Sequence, residues 1–138
     1  HEVDPQSTSC QVIQRAVSDL EPDDCRLFWS FSQSHVYGVD QSAHGIFFTN
    51  YIDVPCDNKD VGGMFRLICR LNHCCQPNVY WTYREKDNEL VVVAKRDLCP
   101  GEELFVDYCG HRDDWKPGER REHLMLFYGF DCGCDVCL

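Results

Sequence analysis

The apolar positions of this chain fall first at helical spacing, then in strand-like runs, then at helical spacing again. After the capping run Ser7-Thr8-Ser9, the residues Val12, Ile13, Ala16, Val17 and Leu20 recur on one face and predict an amphipathic helix. Glu21-Pro22-Asp23-Asp24 breaks it and opens a second helix, with proline in the first turn and acids at the positive end of the dipole. Leu27, Phe28 and Phe31 form its core face, with Trp29 partly on the same side. Residues 1–6 carry no pattern and read as an extended start. The polar stretch 32–45 reads as a loop. Ile46-Phe47-Phe48-Thr49-Asn50-Tyr51-Ile52 is rich in β-branched and aromatic residues and reads as a strand.

Asp57 to Gly63 reads as another loop, and Met64, Phe65, Leu67, Ile68 and Leu71 predict a short helical turn. A hairpin follows, Val79 to Tyr83 against Leu90 to Ala94 across the charged turn Arg84 to Glu89. Pro100-Gly101 makes a turn before a short strand from Leu104 to Tyr108. Beyond the loop Asp113 to Lys116, Pro117 opens a last helix that runs through Leu124, Met125 and Phe127 and stops near Gly129. These elements define an α+β chain that ends in a cysteine knuckle. It divides into a helical part with a connecting strand (1–63), a strand-rich core (64–110) and a terminal helix with its cysteines (111–138).

Composition changes this picture in two places. The net charge is −10, with −7 of it in residues 1–60, where ten acids face three bases. That balance argues against direct nucleic-acid binding, which needs a basic footprint, and favours a basic partner such as a lysine-rich segment. Eleven cysteines is an odd number, and Cys10, Cys25 and Cys69 sit inside apolar segments. A reducing compartment with one metal cluster accounts for this better than a disulfide framework does. No apolar run approaches the ~20 residues of a membrane helix, and no signal peptide is visible. A chain that starts without Met and stops one residue after its last cysteine is expected to be a piece of a longer protein.

The candidate chemistry lies in three stretches. Cys132-Gly133-Cys134-Asp135-Val136-Cys137 is a metal-ligand pattern: closely spaced thiolates can face one tetrahedral zinc at ~2.3 Å. Three cysteines leave one position to fill. Cys74 and Cys75 are the first candidates, and His123 and Cys109 are weaker ones. Arg70-Leu71-Asn72-His73-Cys74-Cys75-Gln76-Pro77-Asn78 gathers carboxamides, an imidazole and thiols around a proline, and taken alone Asn72-His73 fits a turn as readily as a ligand grip. Gly101-Glu102-Glu103 leads to Tyr108, a structural hydrogen bonder or an active-site phenol, and Tyr128 shares that ambiguity. Glu102 and Glu103 are not a carboxylate dyad, since adjacent strand residues point to opposite faces.

Together these stretches carry a resemblance. Asn72-His73-Cys74-Cys75-Gln76-Pro77-Asn78 resembles the N-H-S-C-x-P-N motif of SET-domain protein lysine methyltransferases. Gly101-Glu102-Glu103-Leu104 through Asp107-Tyr108 resembles their G-E-E-[LI]-x-x-x-Y motif, and Cys132-x-Cys134-x2-Cys137 their post-SET zinc cluster. The SET-and-MYND-like group, especially its fungal members, is the most similar, over roughly residues 10–138. Gly45-Ile46-Phe47-Phe48-Thr49-Asn50 and Glu119-Arg120-Arg121-Glu122-His123-Leu124 share its character.

The resemblance implies a SET-type fold with a helical insert and a zinc-binding post-SET segment, and S-adenosylmethionine-dependent methyl transfer to a lysine of a histone or non-histone protein. A non-catalytic, zinc-stabilised SET-like interaction module is the alternative. It further implies that Asn72, the backbone of His73 and Asn50 hold S-adenosylmethionine, with Phe130 on the adenine. Tyr108 becomes the catalytic tyrosine, Tyr128 the second wall of the lysine channel, and Cys75 the fourth zinc ligand beside Cys132, Cys134 and Cys137. The location implied is intracellular, nuclear or cytoplasmic, away from membranes. Cys74 stands where the motif has serine. The glycine-rich segment that opens such folds, and a MYND-type finger, are expected before residue 1, and cofactor binding and turnover are expected to need that glycine-rich segment.

Overall fold

The computed structural model of the chain describes residues 8–56, 59–110 and 114–138. Three helices come first: α1 (Thr8–Ser18), α2 (Pro22–Trp29) and α3 (Ala43–Asn50). Val17, Phe28, Phe31, Ala43 and Ile46 close a core among them, with Ile13, Leu27 and Met64 packed against it. Val12 and Leu20, expected on that face, are exposed, as is much of Trp29. The expected start of the chain at residues 1–6 lies outside the described residues.

The aromatic stretch predicted as a strand is the helix α3. Its start signal is Ser42, whose Oγ accepts from Gly45 N–H. Its aromatic residues pair at helical spacing: His44 stacks on Phe48 with centroids 4.4 Å apart, and Phe47 on Tyr51 at 5.4 Å. Ile46, fully buried, faces the core. Packing therefore overrides the β preference of the individual residues. The segment after it corrects a second expectation: β1 (Ile52–Cys56) pairs antiparallel with β2 (Lys59–Gly63), where a loop was predicted from 57 to 63.

The helical turn expected over 64–71 contracts to a 3-10 turn at Ile68–Arg70. It delivers the chain to β3 (Asn72–His73), which pairs in parallel with β6 (Phe105–Val106) in the register Asn72↔Phe105, His73↔Val106. Between them β4 (Val79–Arg84) and β5 (Glu89–Ala94) form the predicted hairpin. Its turn is closed by Asn88 in the left-handed region (φ 49°), with Tyr83 Oη donating to Asn88 Oδ1. Ile68, Val79 and Val106 make the core beneath these strands.

α4 (Pro117–Tyr128) begins at the predicted proline and ends at Gly129, φ 74°, as its C-cap. A side chain at 129 would also strike the His35 ring. Leu124 is fully buried with Cys109, Cys132 and Cys137, whereas Met125 and Phe127 are exposed. Tyr108 packs against both this cluster and the strand core.

Asn78, read from sequence as a turn residue, is the clamp that fixes β6. Its Oδ1 accepts from Phe105 N–H (2.8 Å), and its Nδ2 donates to Glu103 O (2.8 Å) and Glu102 Oε1 (3.1 Å). The side chain is nearly buried. Asn78→Ala is expected to cost the domain on the order of 2–4 kcal/mol, because two backbone groups lose their partner. A urea titration of the protein and the variant measures it.

Candidate active site and metal centre

The parallel pair β3–β6 brings His73 under Tyr108. The imidazole has no solvent exposure, and burial holds its pKa below the ordinary value against the opposing pull of the Asp107 carboxylate 3.8 Å away. Tyr108 N–H donates to His73 Nδ1 at 3.0 Å. A neutral ring that accepts at Nδ1 carries its proton on Nε2, and Nε2 lies 3.2 Å from Cys75 Sγ. One imidazole thus connects the backbone of Tyr108 to a cysteine thiol.

Tyr108 Oη donates to Leu71 O at 2.5 Å, which leaves its lone pairs as acceptors. Its ring lies 4.7 Å from that of Tyr128, and Phe130 stands edge-on to it at 6.4 Å. Burial pushes the Tyr108 phenol up to about 12, and burial with the neighbouring Tyr108 pushes Tyr128 up as well. Both phenols are neutral at physiological pH.

These rings border a cavity of about 530 Å³ lined by Asn50, Arg70, Asn72, His73, Tyr108, Tyr128 and Phe130, among others. All six residues expected around the cofactor or the lysine channel therefore meet in one place, from segments as far apart as 50 and 130. Asn50 Nδ2 donates to Ser32 O and Ile46 O, and Asn72 Nδ2 to Glu103 Oε1 at 2.6 Å. A second cavity, of about 800 Å³, shares Asn50, Tyr108 and Tyr128 and adds Tyr37, Tyr51, Trp81 and Phe127, with Asp53 and Asp107 as its carboxylates. The two tyrosines stand where the cavities meet.

The candidate metal centre is equally compact. The sulfur atoms of Cys75, Cys132, Cys134 and Cys137 all lie within 4.8 Å of one another. Cys75 Sγ is 3.4 Å from Cys137 Sγ and 3.9 Å from Cys132 Sγ. Tetrahedral zinc with sulfur at ~2.3 Å requires sulfurs about 3.8 Å apart, so the donor set fits that ion. Burial pushes the Cys75 and Cys132 thiols up. At Cys134 burial is outweighed by hydrogen bonds from the Cys75 backbone, the Cys132 thiol and the Val136 backbone, which bring it down to about 7. A divalent cation would remove the repulsion among four such thiolates.

Of the candidates for the fourth position, Cys75 is the one in the four-sulfur group. Cys74 Sγ accepts from Gln76 N–H, Cys109 groups with His73 and Asp107, and the His123 ring packs between Trp115 and Phe127.

Sequence reasoning missed three contributors. The His73 ring was assigned no part, since its backbone alone was read as a ligand group. Ser34, buried within a predicted loop, donates from Oγ to Tyr128 O (2.7 Å) and from N to Thr49 Oγ1 (2.9 Å), latching the end of α4 to α3. Glu102 is bonded to the Arg96 guanidinium as well as to Asn78, while Glu103 reaches Asn72; both acids lie before β6 rather than in a strand, and each braces a different neighbour.

The fold and the two sites define a class. The SET domain family model matches residues 3–109, and the chain belongs to that family. Among curated proteins it is similar to the histone-lysine N-methyltransferase set5 of Schizosaccharomyces pombe, 36% identical over 94 residues, covering 67% of this chain and 28% of that protein. The N-lysine methyltransferase SMYD2-B of Danio rerio is 33% identical over 116 residues (84% and 23%). The protein-lysine N-trimethyltransferase SMYD5 of Mus musculus is 35% identical over 83 residues (59% and 20%). The chain thus spans less than a third of the length of these relatives. Among its described residues no helix is long and apolar enough to cross a membrane.

Proposed function

We propose that this chain is the C-terminal part of the catalytic SET domain, with its post-SET segment, of an S-adenosylmethionine-dependent protein lysine N-methyltransferase. The observation that carries the reading is the pair of cavities meeting at Tyr108 and Tyr128. The smaller has a volume within the ~300–1,000 Å³ of small-molecule sites and is lined by both polar side chains and aromatic rings. It suits a ligand with an amino-acid end and a base, held by Asn72, His73 and Asn50 with Phe130 against the base. The larger, aromatic and flanked by carboxylates, suits a lysine side chain arriving from a protein.

Bound S-adenosylmethionine supplies a methyl group on a cationic sulfur. The chain's own residues prepare the acceptor. A lysine amine has pKa ~10.4 in water and must be neutral to attack. An apolar channel between Tyr108 and Tyr128, facing a positive centre, disfavours the ammonium form and lowers that value. Tyr108 Oη, committed as donor to Leu71 O, offers the amine an acceptor and so fixes the direction of its lone pair. Holding the reacting atoms in line contributes ~7–11 kcal/mol through orientation. Zinc at Cys75, Cys132, Cys134 and Cys137 would be structural, keeping Tyr128 and Phe130 over the site. The substrate would be a lysine-containing protein, histone or other, met inside the cell in the nucleus or cytoplasm.

Two measurements test this reading. Calorimetry on the full-length protein should detect S-adenosylmethionine binding that weakens in Asn72→Ala and Phe130→Ala while zinc content is kept. Failure of the unmodified protein to bind would leave only the non-catalytic alternative. The pH profile should rise as the amine loses its proton. Because the Tyr108 phenol stays protonated until pH approaches about 12, no descending limb from it should appear between about pH 7 and pH 10. A fall in rate centred near pH 10 would contradict the half-buried, neutral phenol.

A further inference from the structure

We propose that Arg120 is the counter-charge of the four-cysteine centre: its guanidinium donates to the thiolates of Cys75 and Cys137 and sets how tightly the centre holds its cation. The inference rests on the zinc reading above and adds to it a residue outside the sulfurs.

Arg120 lies in the first turn of α4. Its Nη1 donates to Trp115 O and its Nη2 to Val136 O at 3.0 Å, so two backbone carbonyls, one adjacent to Cys137, hold the guanidinium against the cluster. That places the positive charge beside the cluster, where it and the Cys75 and Cys137 thiols act on one another electrostatically. Its Nε–H is buried and has no partner among the described residues. The two carbonyls satisfy donors but are neutral, so the positive charge and the buried Nε–H are left for another group to match.

The cysteine centre supplies that charge. Four thiolates around one divalent cation leave a net charge of −2, and burial penalises it in the same way. Cys75 would then accept from two donors, the neutral His73 Nε2 on one side and Arg120 on the other. Hydrogen bonds to a metal-bound sulfur stabilise its charge, and such outer partners are worth ~10–100-fold in metal affinity. The neighbouring Arg121 is farther from that role: its charge is already matched by Asp131 at the surface, although it too feels Cys137 and Cys132.

Zinc content and zinc affinity, the latter by competition with a chromophoric chelator, test the proposal on the full-length protein. The unmodified protein should hold one zinc at this centre. Arg120→Met should bind it ~10–100-fold more weakly. Arg120→Lys, which keeps the charge and loses the fork, should fall between, and Arg121→Gln, whose charge is matched by Asp131, should weaken binding by less than about threefold. Affinity of Arg120→Met within about threefold of the unmodified protein would overturn the proposal. So would an Arg120→Lys as weak as Arg120→Met, since Arg120 would then only brace Trp115 and Val136.

Should Arg120→Met not fold, the cobalt-substituted protein and its Arg120→Lys variant decide. Losing a donor to sulfur should move the sulfur-to-cobalt charge-transfer band to longer wavelength, and an unshifted band would overturn the assignment. An unmodified protein without zinc would overturn both this proposal and the zinc reading; an unmodified protein with zinc and an unaffected Arg120→Met would overturn this proposal alone.

Discussion

Replacing Tyr108 by Phe in the full-length protein is expected to lower methyl transfer by ~100-fold or more while zinc content and cofactor binding stay near those of the unmodified protein. The geometry makes the hydroxyl the specific loss. It donates to Leu71 O at 2.5 Å, so the rotor is fixed and the oxygen keeps its lone pairs as acceptors, on a residue that lines both cavities. Phenylalanine keeps the ring, its packing against both cores and the Tyr108 backbone bond to His73. What disappears is one short hydrogen bond, worth ~1 kcal/mol of stability, and the group that orients the amine. Steady-state rates together with calorimetry separate the two effects: kcat should fall and affinity for S-adenosylmethionine should not. An unchanged kcat would remove Tyr108 from the catalytic role.

Removal of zinc should have an effect of comparable size by a different route. Structural zinc contributes ~10–16 kcal/mol to small zinc-bound domains, as much as the whole stability of an ordinary domain. Here the four proposed ligands come from two places, Cys75 beside His73 and the terminal Cys132, Cys134 and Cys137. Losing the ion frees the terminal segment, and with it Phe130, two residues before Cys132, and the end of α4 that carries Tyr128. It also releases the Cys75 thiolate from His73 Nε2, on whose other nitrogen the Tyr108 backbone rests.

Chelation should therefore abolish transfer in proportion to the metal removed, with loss of the near-ultraviolet signal of the packed tyrosines. Cys132→Ser should do the same without chelator. Transfer that persists after the zinc is gone would break the proposed link between metal and active site.

Much of this architecture is legible in the sequence where the signals are local. Pro22 and Pro117 at first turns, and Gly129 at a C-cap, place two helices correctly. Apolar runs on either side of a charged turn place the β4–β5 hairpin. The misread stretch, Ile46 to Ile52, is instructive: its composition favours a strand, yet the Ser42 cap and the pairs His44–Phe48 and Phe47–Tyr51 are helical signals that composition hides. The strand β2 carries two glycines and charged residues, so only its pairing with β1 reveals it.

At the site, the motif resemblance nominates residues that the structure brings around one cavity, but not the bonds between them. That His73 joins Cys75 to Tyr108, or that Ser34 holds Tyr128 across ninety-four positions, follows only from tertiary contact. Arg120 was visible in a charged helical run, where an arginine ordinarily faces water, and nothing local marks it as turned toward sulfur.

The central claim is that this SET domain moves a methyl group to a protein lysine. Its most direct test is incubation of the full-length protein, and separately its Tyr108→Phe variant, with labelled S-adenosylmethionine and a whole-protein extract. Label should be mapped to modified side chains by mass spectrometry. The account predicts label on lysine with the unmodified protein and background with the variant. No lysine labelling above that background, from a protein that binds both zinc and cofactor, would contradict it.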